Sequence, residues 1–252
     1  LANPLIIAHR GDMTAAPEST LPAFISAIDK GADAIEFDVH MTKDGEIVIH
    51  HDNYLGRVES ASGYLGNFTL TELQSLDTGI WFGPEFKGLR MPTLNDVLDL
   101  GNHSIRFEIE LRTPSLTFLQ KVVDTIKKFG NEDRVELTSP HVPLLCRAKD
   151  LYPLMRTGLF FLSFPEWMLP AQREEHIWGW LDISGARTAH LPLSYIDHNL
   201  VSEGHNRGFS IHGADLNSEN DIKEAISLDI DQFSTDRLDL ALTIIKSKNP
   251  NI

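Results

Sequence analysis

The chain has 252 residues, 42% of them hydrophobic, and a formal net charge of −14. That composition can bury one large core, and the acidic balance argues against a nucleic-acid surface or an anionic-membrane footprint, both of which need clustered Lys and Arg. The lone Cys146 excludes an internal disulfide and a cysteine-based zinc cluster, and no apolar run approaches the ~18 residues a membrane span requires. The expected compartment is the cytoplasm, with a periplasmic or secreted location open if a leader has been removed.

In chain order, residues 5–8 form an apolar run of the buried parallel-strand kind, which delivers His9-Arg10-Gly11 at its carboxyl end, where α/β sheets bind ligands. Glu18 precedes Thr20, the expected N-cap of a helix with Leu21, Phe24, Ile25 and Ile28 on its inner face and Gly31 at its end. Residues 34–38 form strand two, with Glu36 and Asp38 on one face. It continues into a hairpin whose turn is Asp44-Gly45. A two-residue loop there pairs positions summing to 89, so that Lys43 faces Glu46 and Asp38 faces His51. Glu36, Asp38 and His51 then converge on one patch. The turn-rich stretch that follows makes an insertion over about residues 39–92.

Thr93 caps a helix carrying Leu94, Val97, Leu98 and Leu100 and ending at Gly101, and residues 105–111 form strand three, with Glu108 and Glu110 sharing a face. Strands are expected at 135–138, 156–161, 189–193, 209–212 and 232–235. Helices are expected at 142–151, 166–178, 199–206, 219–228 and 238–245. This rhythm predicts a TIM (β/α)8 barrel with a small hairpin-containing insertion after strand two, as a single domain over residues 1–252.

The mouth of such a barrel gathers His9, Arg10, Glu36, Asp38, Glu110 and Arg112, with His51 added by the hairpin. Three adjacent carboxylates repel unless a cation sits among them, and all-oxygen ligation suits Mg²⁺ or Ca²⁺. Two histidines can serve as acid and base, and two arginines offer donors to phosphate oxygens. The set reads as metal-assisted displacement at phosphorus. His50 is out of phase with His51 and reads as a structural or solvent-facing neighbour. Glu108 is the nearest rival to Glu110, Glu18 can simply stabilise a helix start, and Cys146 reads as packing. Phe164-Pro165-Glu166 reads as a loop entering a helix, which leaves Trp167 at the first turn near the mouth as a candidate contact for the substrate's alcohol.

Several motifs carry a resemblance: H-R-G at 9–11, E-x-T at 18–20, E-F-D at 36–38, T-K-D-G at 42–45, H-D at 51–52, I-E-L-R at 109–112, P-T-L at 92–94 and T-D at 235–236. Together they resemble the glycerophosphodiester phosphodiesterase family over essentially the whole chain. The resemblance implies a TIM barrel that hydrolyses glycerophosphodiesters with a divalent metal. It implies His9 and His51 as general acid and base without dividing the roles, and Glu36, Asp38 and Glu110 as metal ligands. Arg10 would hold the phosphate, with Arg112 where the family has lysine. Ser19 stands where relatives carry asparagine, and Ala214-Asp215-Leu216-Asn217 replaces a motif that begins with tryptophan, which bears on the alcohol's fit. The alternatives are a lysophospholipid-cleaving enzyme of the same fold and a barrel that binds phosphodiesters without turnover.

Overall fold

The structure, a computed structural model, describes residues 3–100, 105–130 and 132–248. In chain order its elements are β1 (Leu5–His9), α1 (Leu21–Lys30), β2 (Ala34–Met41), β3 (Ile47–Ile49), β4 (Tyr54–Leu55), β5 (Gly63–Tyr64), α2 (Leu70–Gln74), α3 (Leu94–Asp99) and β6 (Arg106–Leu111). The second half continues with α4 (Leu116–Phe129), β7 (Val135–Ser139), α5 (Val142–Leu151), β8 (Arg156–Phe160), α6 (Pro170–Ser184), β9 (Thr188–Pro192), α7 (His198–Arg207), β10 (Ser210–Ala214), α8 (Glu219–Leu228), β11 (Gln232–Thr235) and α9 (Leu238–Lys248).

Eight strands run parallel in the order β1-β11-β10-β9-β8-β7-β6-β2, and β2 pairs back with β1 to close a TIM barrel. β3 lies antiparallel on the extension of β2. Alternation along the strands divides the molecule into two interiors. Ile35, Phe37 and Val39 of β2, Phe107, Ile109 and Leu111 of β6 and Phe233 of β11 face the helices and form the apolar layer with Phe24, Phe118 and Leu145. Each fully buried side chain of this size contributes about 2 kcal/mol. The intervening positions, Glu36, Asp38, Glu108, Glu136, His190, His212 and Gln232, are also buried but point into the barrel, whose centre is therefore polar.

The hairpin differs from expectation. Val39 pairs with Ile49, His40 with Val48 and Met41 with Ile47, a sum of 88 and not 89. The loop holds three residues: Gly45 N donates to Thr42 O, Thr42 N donates to Glu46 O, and Gly45 sits at φ 82°. Asp44-Gly45 does turn the chain, but as the end of a three-residue loop with a left-handed glycine. The insertion builds its own small core from Val48 of β3 with Leu55, Leu65, Leu73 and Met91.

Two helix starts also differ. Thr20 precedes α1 in extended conformation, but its hydroxyl donates to Pro17 O, 2.6 Å away, and caps nothing. Helix α6 begins at Pro170 and not at residue 166. Thr93 does cap α3, in a reciprocal capping box with Asp96. Gly101, where the sequence ends that helix, lies outside the described residues. Helix α4 adds to the expected set: Ser115 caps it, and Leu119, Val122, Val123 and Ile126 bury one face. Among the described residues no helix is long and apolar enough to cross a membrane.

Candidate active site

The His9-Arg10-Gly11 corner sets the geometry of the mouth. Arg10 takes a left-handed conformation, φ 55°, which turns its N–H onto Glu36 Oε2 at 3.1 Å. Gly11, at φ 86°, packs against α1 so closely that a Cβ would lie 2.8 Å from the Ala23 carbonyl carbon, so only glycine fits. His9 is the last residue of β1, and its Nδ1 meets Asp236 Oδ1 at 2.6 Å while its Nε2 lies 3.8 Å from Glu36 Oε2. Burial lowers the His9 pKa, but the bond to Asp236 and the charges of Glu36 and Asp215 outweigh it and raise the value to about 9. Asp236 is itself held by Asn217, whose Nδ2 donates to Asp236 Oδ2 at 2.7 Å and whose Oδ1 accepts from Asp236 N at 2.8 Å.

Across the mouth, Asp38 pairs in register with Glu110, and Glu36 with Glu108. One oxygen from each of Glu36, Asp38 and Glu110 lies within 4.8 Å of the others. Arg112 Nη1 donates to Glu110 Oε1 at 2.6 Å, and Arg112 Nε and Arg10 Nε lie 3.6 and 3.9 Å from the two Asp38 oxygens. These contacts do not neutralise the group. Burial and then the Glu110 charge push the Asp38 carboxyl up to about 7, and burial with Asp38 beside it raises Glu36 as well. Both Asp38 oxygens are buried without a hydrogen-bond donor. The described residues thus include a carboxylate group able to hold a divalent cation.

His51 reaches the same region by a different route from the one its spacing suggested. It stands beyond the paired part of β3, and Asp38 is opposite His50, whose N–H donates to Asp38 O at 3.2 Å. That backbone bond ends the ladder, so the strict alternation of faces stops before His51. A chain of charged contacts orients the ring instead. His51 Nδ1 meets Asp52 Oδ1 at 2.8 Å, Arg57 Nε donates to Asp52 Oδ2 at 2.5 Å, and both Arg57 terminal nitrogens donate to Glu18, at 2.8 and 2.7 Å. Glu18 also accepts from Arg10 Nη1 at 3.1 Å, which joins this chain to the mouth. Burial, then the Arg10 charge, lower the His51 pKa, against the opposing pull of Asp52. His50 is buried on Glu59, 2.7 Å away, and belongs to the insertion's packing.

These contacts give Glu18 a different place from a helix-start carboxylate: it aligns two arginines. Asp236, Asn217, Arg57 and Asp215, whose Oδ1 lies 3.7 Å from His9 Nδ1, carry parts of the site that sequence reasoning left without a role. The T-D motif held a signal for Asp236 and the altered 214–217 motif one for Asn217. Nothing in the spacing marked Arg57. Glu108 lies apart from the Glu36–Asp38–Glu110 group, in a second cluster with His190 and His212. Cys146 is half-buried, with Sγ 3.4 Å from Ile183 O. Trp167 lies in the connection before α6, 72% exposed, whereas Phe160, Phe161, His176 and Trp180 line one surface cavity together.

Residues 9–240 match the glycerophosphoryl diester phosphodiesterase family. The chain belongs to that family. A glycerophosphodiester phosphodiesterase from Bacillus altitudinis is 30% identical over 250 residues, which cover 95% of this chain and 97% of the relative. Another from Caldanaerobacter subterraneus is 38% identical over 161 residues, 62% of this chain and 66% of the relative. An Oleispira antarctica phosphodiesterase, solved in complex with the product sn-glycerol-3-phosphate, matches with a TM-score of 0.86 at 26% identity, covering 97% of each chain. The phosphodiesterase is accordingly a phosphoric diester hydrolase built on a TIM barrel.

Proposed function

We propose that the phosphodiesterase, working as one barrel domain, hydrolyses glycerophosphodiesters to glycerol phosphate and an alcohol with Mg²⁺ or Ca²⁺ held by Glu36, Asp38 and Glu110. The observation that carries this reading is the group of three carboxylates within 4.8 Å of one another, with both Asp38 oxygens buried and lacking donors. An all-oxygen set of that charge fits a hard divalent cation. When bound, the cation supplies Lewis-acid stabilisation of the phosphoryl oxygens. Arg10 Nε, buried without an acceptor, is a donor available to a phosphoryl oxygen, and Arg112 supports the opposite side of Asp38.

The two histidines divide the proton transfers. Each has its Nδ1 on a carboxylate, His9 on Asp236 and His51 on Asp52, which fixes the ring and leaves Nε2 for the substrate. The carboxylates around His9 favour its charged form, suiting it to protonate the leaving alkoxide. Burial and the Arg10 charge hold His51 neutral, suiting it to accept the proton of the attacking oxygen. The names of the relatives and the product held by the Oleispira enzyme support the substrate class.

A second reading concerns the alcohol. Leu162, Trp167 and Leu169, at 72%, 72% and 63% exposure, crowd the connection after β8 on the mouth side of the barrel, an apolar surface that favours a lysophospholipid or another bulky diester. Assay of glycerophosphocholine, glycerophosphoethanolamine and lysophosphatidylcholine after chelation, then with Mg²⁺ or Ca²⁺ restored, tests both readings. Turnover that returns only with the cation is expected. An undiminished rate in fully demetallated protein rejects the ligand assignment, and binding of every diester without turnover supports a non-catalytic barrel.

A further inference from the structure

The barrel interior contains a second set of converging side chains. Glu108 on β6, His190 on β9 and His212 on β10 are all buried, and one potential ligand atom from each lies within 4.8 Å of the others. Glu108 Oε1 is 3.7 Å from His190 Nδ1, and Oε2 is 3.4 Å from His212 Nδ1, with the two imidazoles stacked at 4.0 Å between centroids. Both Glu108 oxygens, His190 Nδ1 and His212 Nε2 lack a hydrogen-bond partner. Burying such atoms without partners is costly.

The surroundings fix what these atoms offer. His190 Nε2 lies 3.1 Å from Glu136 Oε1. An ionised carboxylate only accepts, so Nε2 carries the proton and Nδ1 presents its lone pair toward Glu108. A carboxylate on the far nitrogen is the arrangement that orients metal-bound imidazoles. Gly158 on β8 leaves the room for it, because a Cβ there would collide with both His190 Nε2 and Glu136 Oε1. Gln232 Nε2 donates to His212 Nδ1 at 3.2 Å, and exchanging the amide nitrogen for its oxygen would release that lone pair. A cavity of about 20 Å³, whose lining includes Glu108, Glu136, Arg156 and Gln232 among apolar side chains, adds space for one water beside Glu108.

We propose that Glu108, His190 and His212 form a second, buried site for a divalent transition-metal ion, two residues deeper along β6 than Glu110. Two imidazoles and one carboxylate form a donor set suited to Zn²⁺ or its first-row neighbours, whereas the three carboxylates above suit Mg²⁺ or Ca²⁺. The ion would tie β6, β9 and β10 together across the barrel. This site is independent of the proposed reaction, and its test does not read activity.

Demetallated phosphodiesterase is loaded with one equivalent of Zn²⁺ in millimolar Ca²⁺, desalted into the same Ca²⁺ buffer, and its zinc content measured. One retained zinc per chain is expected, with a rise in thermal midpoint of about 5 °C that persists in Glu110→Gln and disappears in His212→Gln. Crystals of the zinc-loaded wild-type protein should give an anomalous peak at the zinc edge between Glu108, His190 and His212, a measurement that needs no variant to fold. No zinc retained, a peak confined to Glu36, Asp38 and Glu110, or an equal midpoint rise in His212→Gln overturns the proposal.

Discussion

His9 depends on a residue 227 positions away, since Asp236 bonds its Nδ1 at 2.6 Å and Asn217 fixes Asp236 in turn. Replacing Asp236 by Asn keeps the shape but removes the charge. The expected result is a fall in kcat on the order of 10²–10⁴-fold with little change in KM. Because Asp236 raises the His9 pKa, its loss should also move the alkaline limb of the pH–rate profile to lower pH. An unshifted limb would remove His9 as the group that must stay protonated. The division of roles has its own test, since a p-nitrophenolate leaving group needs no proton while an alkoxide does. His9→Ala should be far less damaging with the nitrophenyl diester than with an alkyl diester, and His51→Ala equally damaging with both; the reverse pattern exchanges the roles. Asp236 was legible as part of a motif but not as the partner of His9. Spacing along a chain describes neighbours, and only closure of the barrel brings β11 beside β1.

At the scale of elements, the hairpin shows how one loop residue changes the meaning of a sequence. The Asp44-Gly45 turn and the carboxylates of β2 were readable, but a three-residue loop shifts the pairing by one and puts His50 opposite Asp38. His51 reaches the mouth through Asp52, Arg57 and Glu18 instead, contacts that alternation along a strand cannot reveal. The two histidines should therefore separate cleanly by assay. His51→Ala is expected to lower kcat with little effect on stability. Glu59→Gln, which breaks the buried pair with His50, should destabilise by about 3 kcal/mol with a smaller effect on rate. Burial lowers the His50 pKa, but Glu59 outweighs it and raises the value, so this contribution is full below about pH 6.5 and is lost as pH rises through the folded value. Burial raises Glu59, but His50 outweighs it, so that contribution is present above about pH 4.3 and is lost as pH falls through the folded value. The stability difference between wild type and Glu59→Gln should peak between those limits, as urea unfolding across pH would show. On the other side of the mouth, Trp167→Ala should raise KM for bulky diesters alone; equal effects on small and bulky substrates would leave Trp167 without a role in binding.

The whole molecule combines an apolar shell with a polar centre. The shell is the legible part, since β-then-α rhythm, apolar strand runs and helix stops lead to the barrel. Helix α4 is the exception: it fills residues 116–129, between the third and fourth strands, where no element is expected despite Ser115 and the apolar stripe. At the centre the Glu36–Asp38–Glu110 set was legible, whereas the grouping of Glu108 with His190 and His212 joins three strands that spacing along β6 does not connect. That division makes a prediction about stability. In metal-free protein the Glu36–Asp38–Glu110 group concentrates buried carboxylates against one another, so neutralising one of them relieves repulsion at the mouth. Glu110→Gln should therefore leave the metal-free thermal midpoint unchanged or raise it while removing most activity, because Arg112 loses only one of its carboxylate partners. If the group holds Ca²⁺, an ion bound by the folded chain and not the unfolded one, added Ca²⁺ should raise the wild-type midpoint by an amount that grows with the logarithm of its concentration. The variant, with one ligand neutral, should show little or none of that rise. Calorimetry of both proteins across a Ca²⁺ series reads this directly, and parallel rises in the two would mean that Glu110 does not help hold the ion.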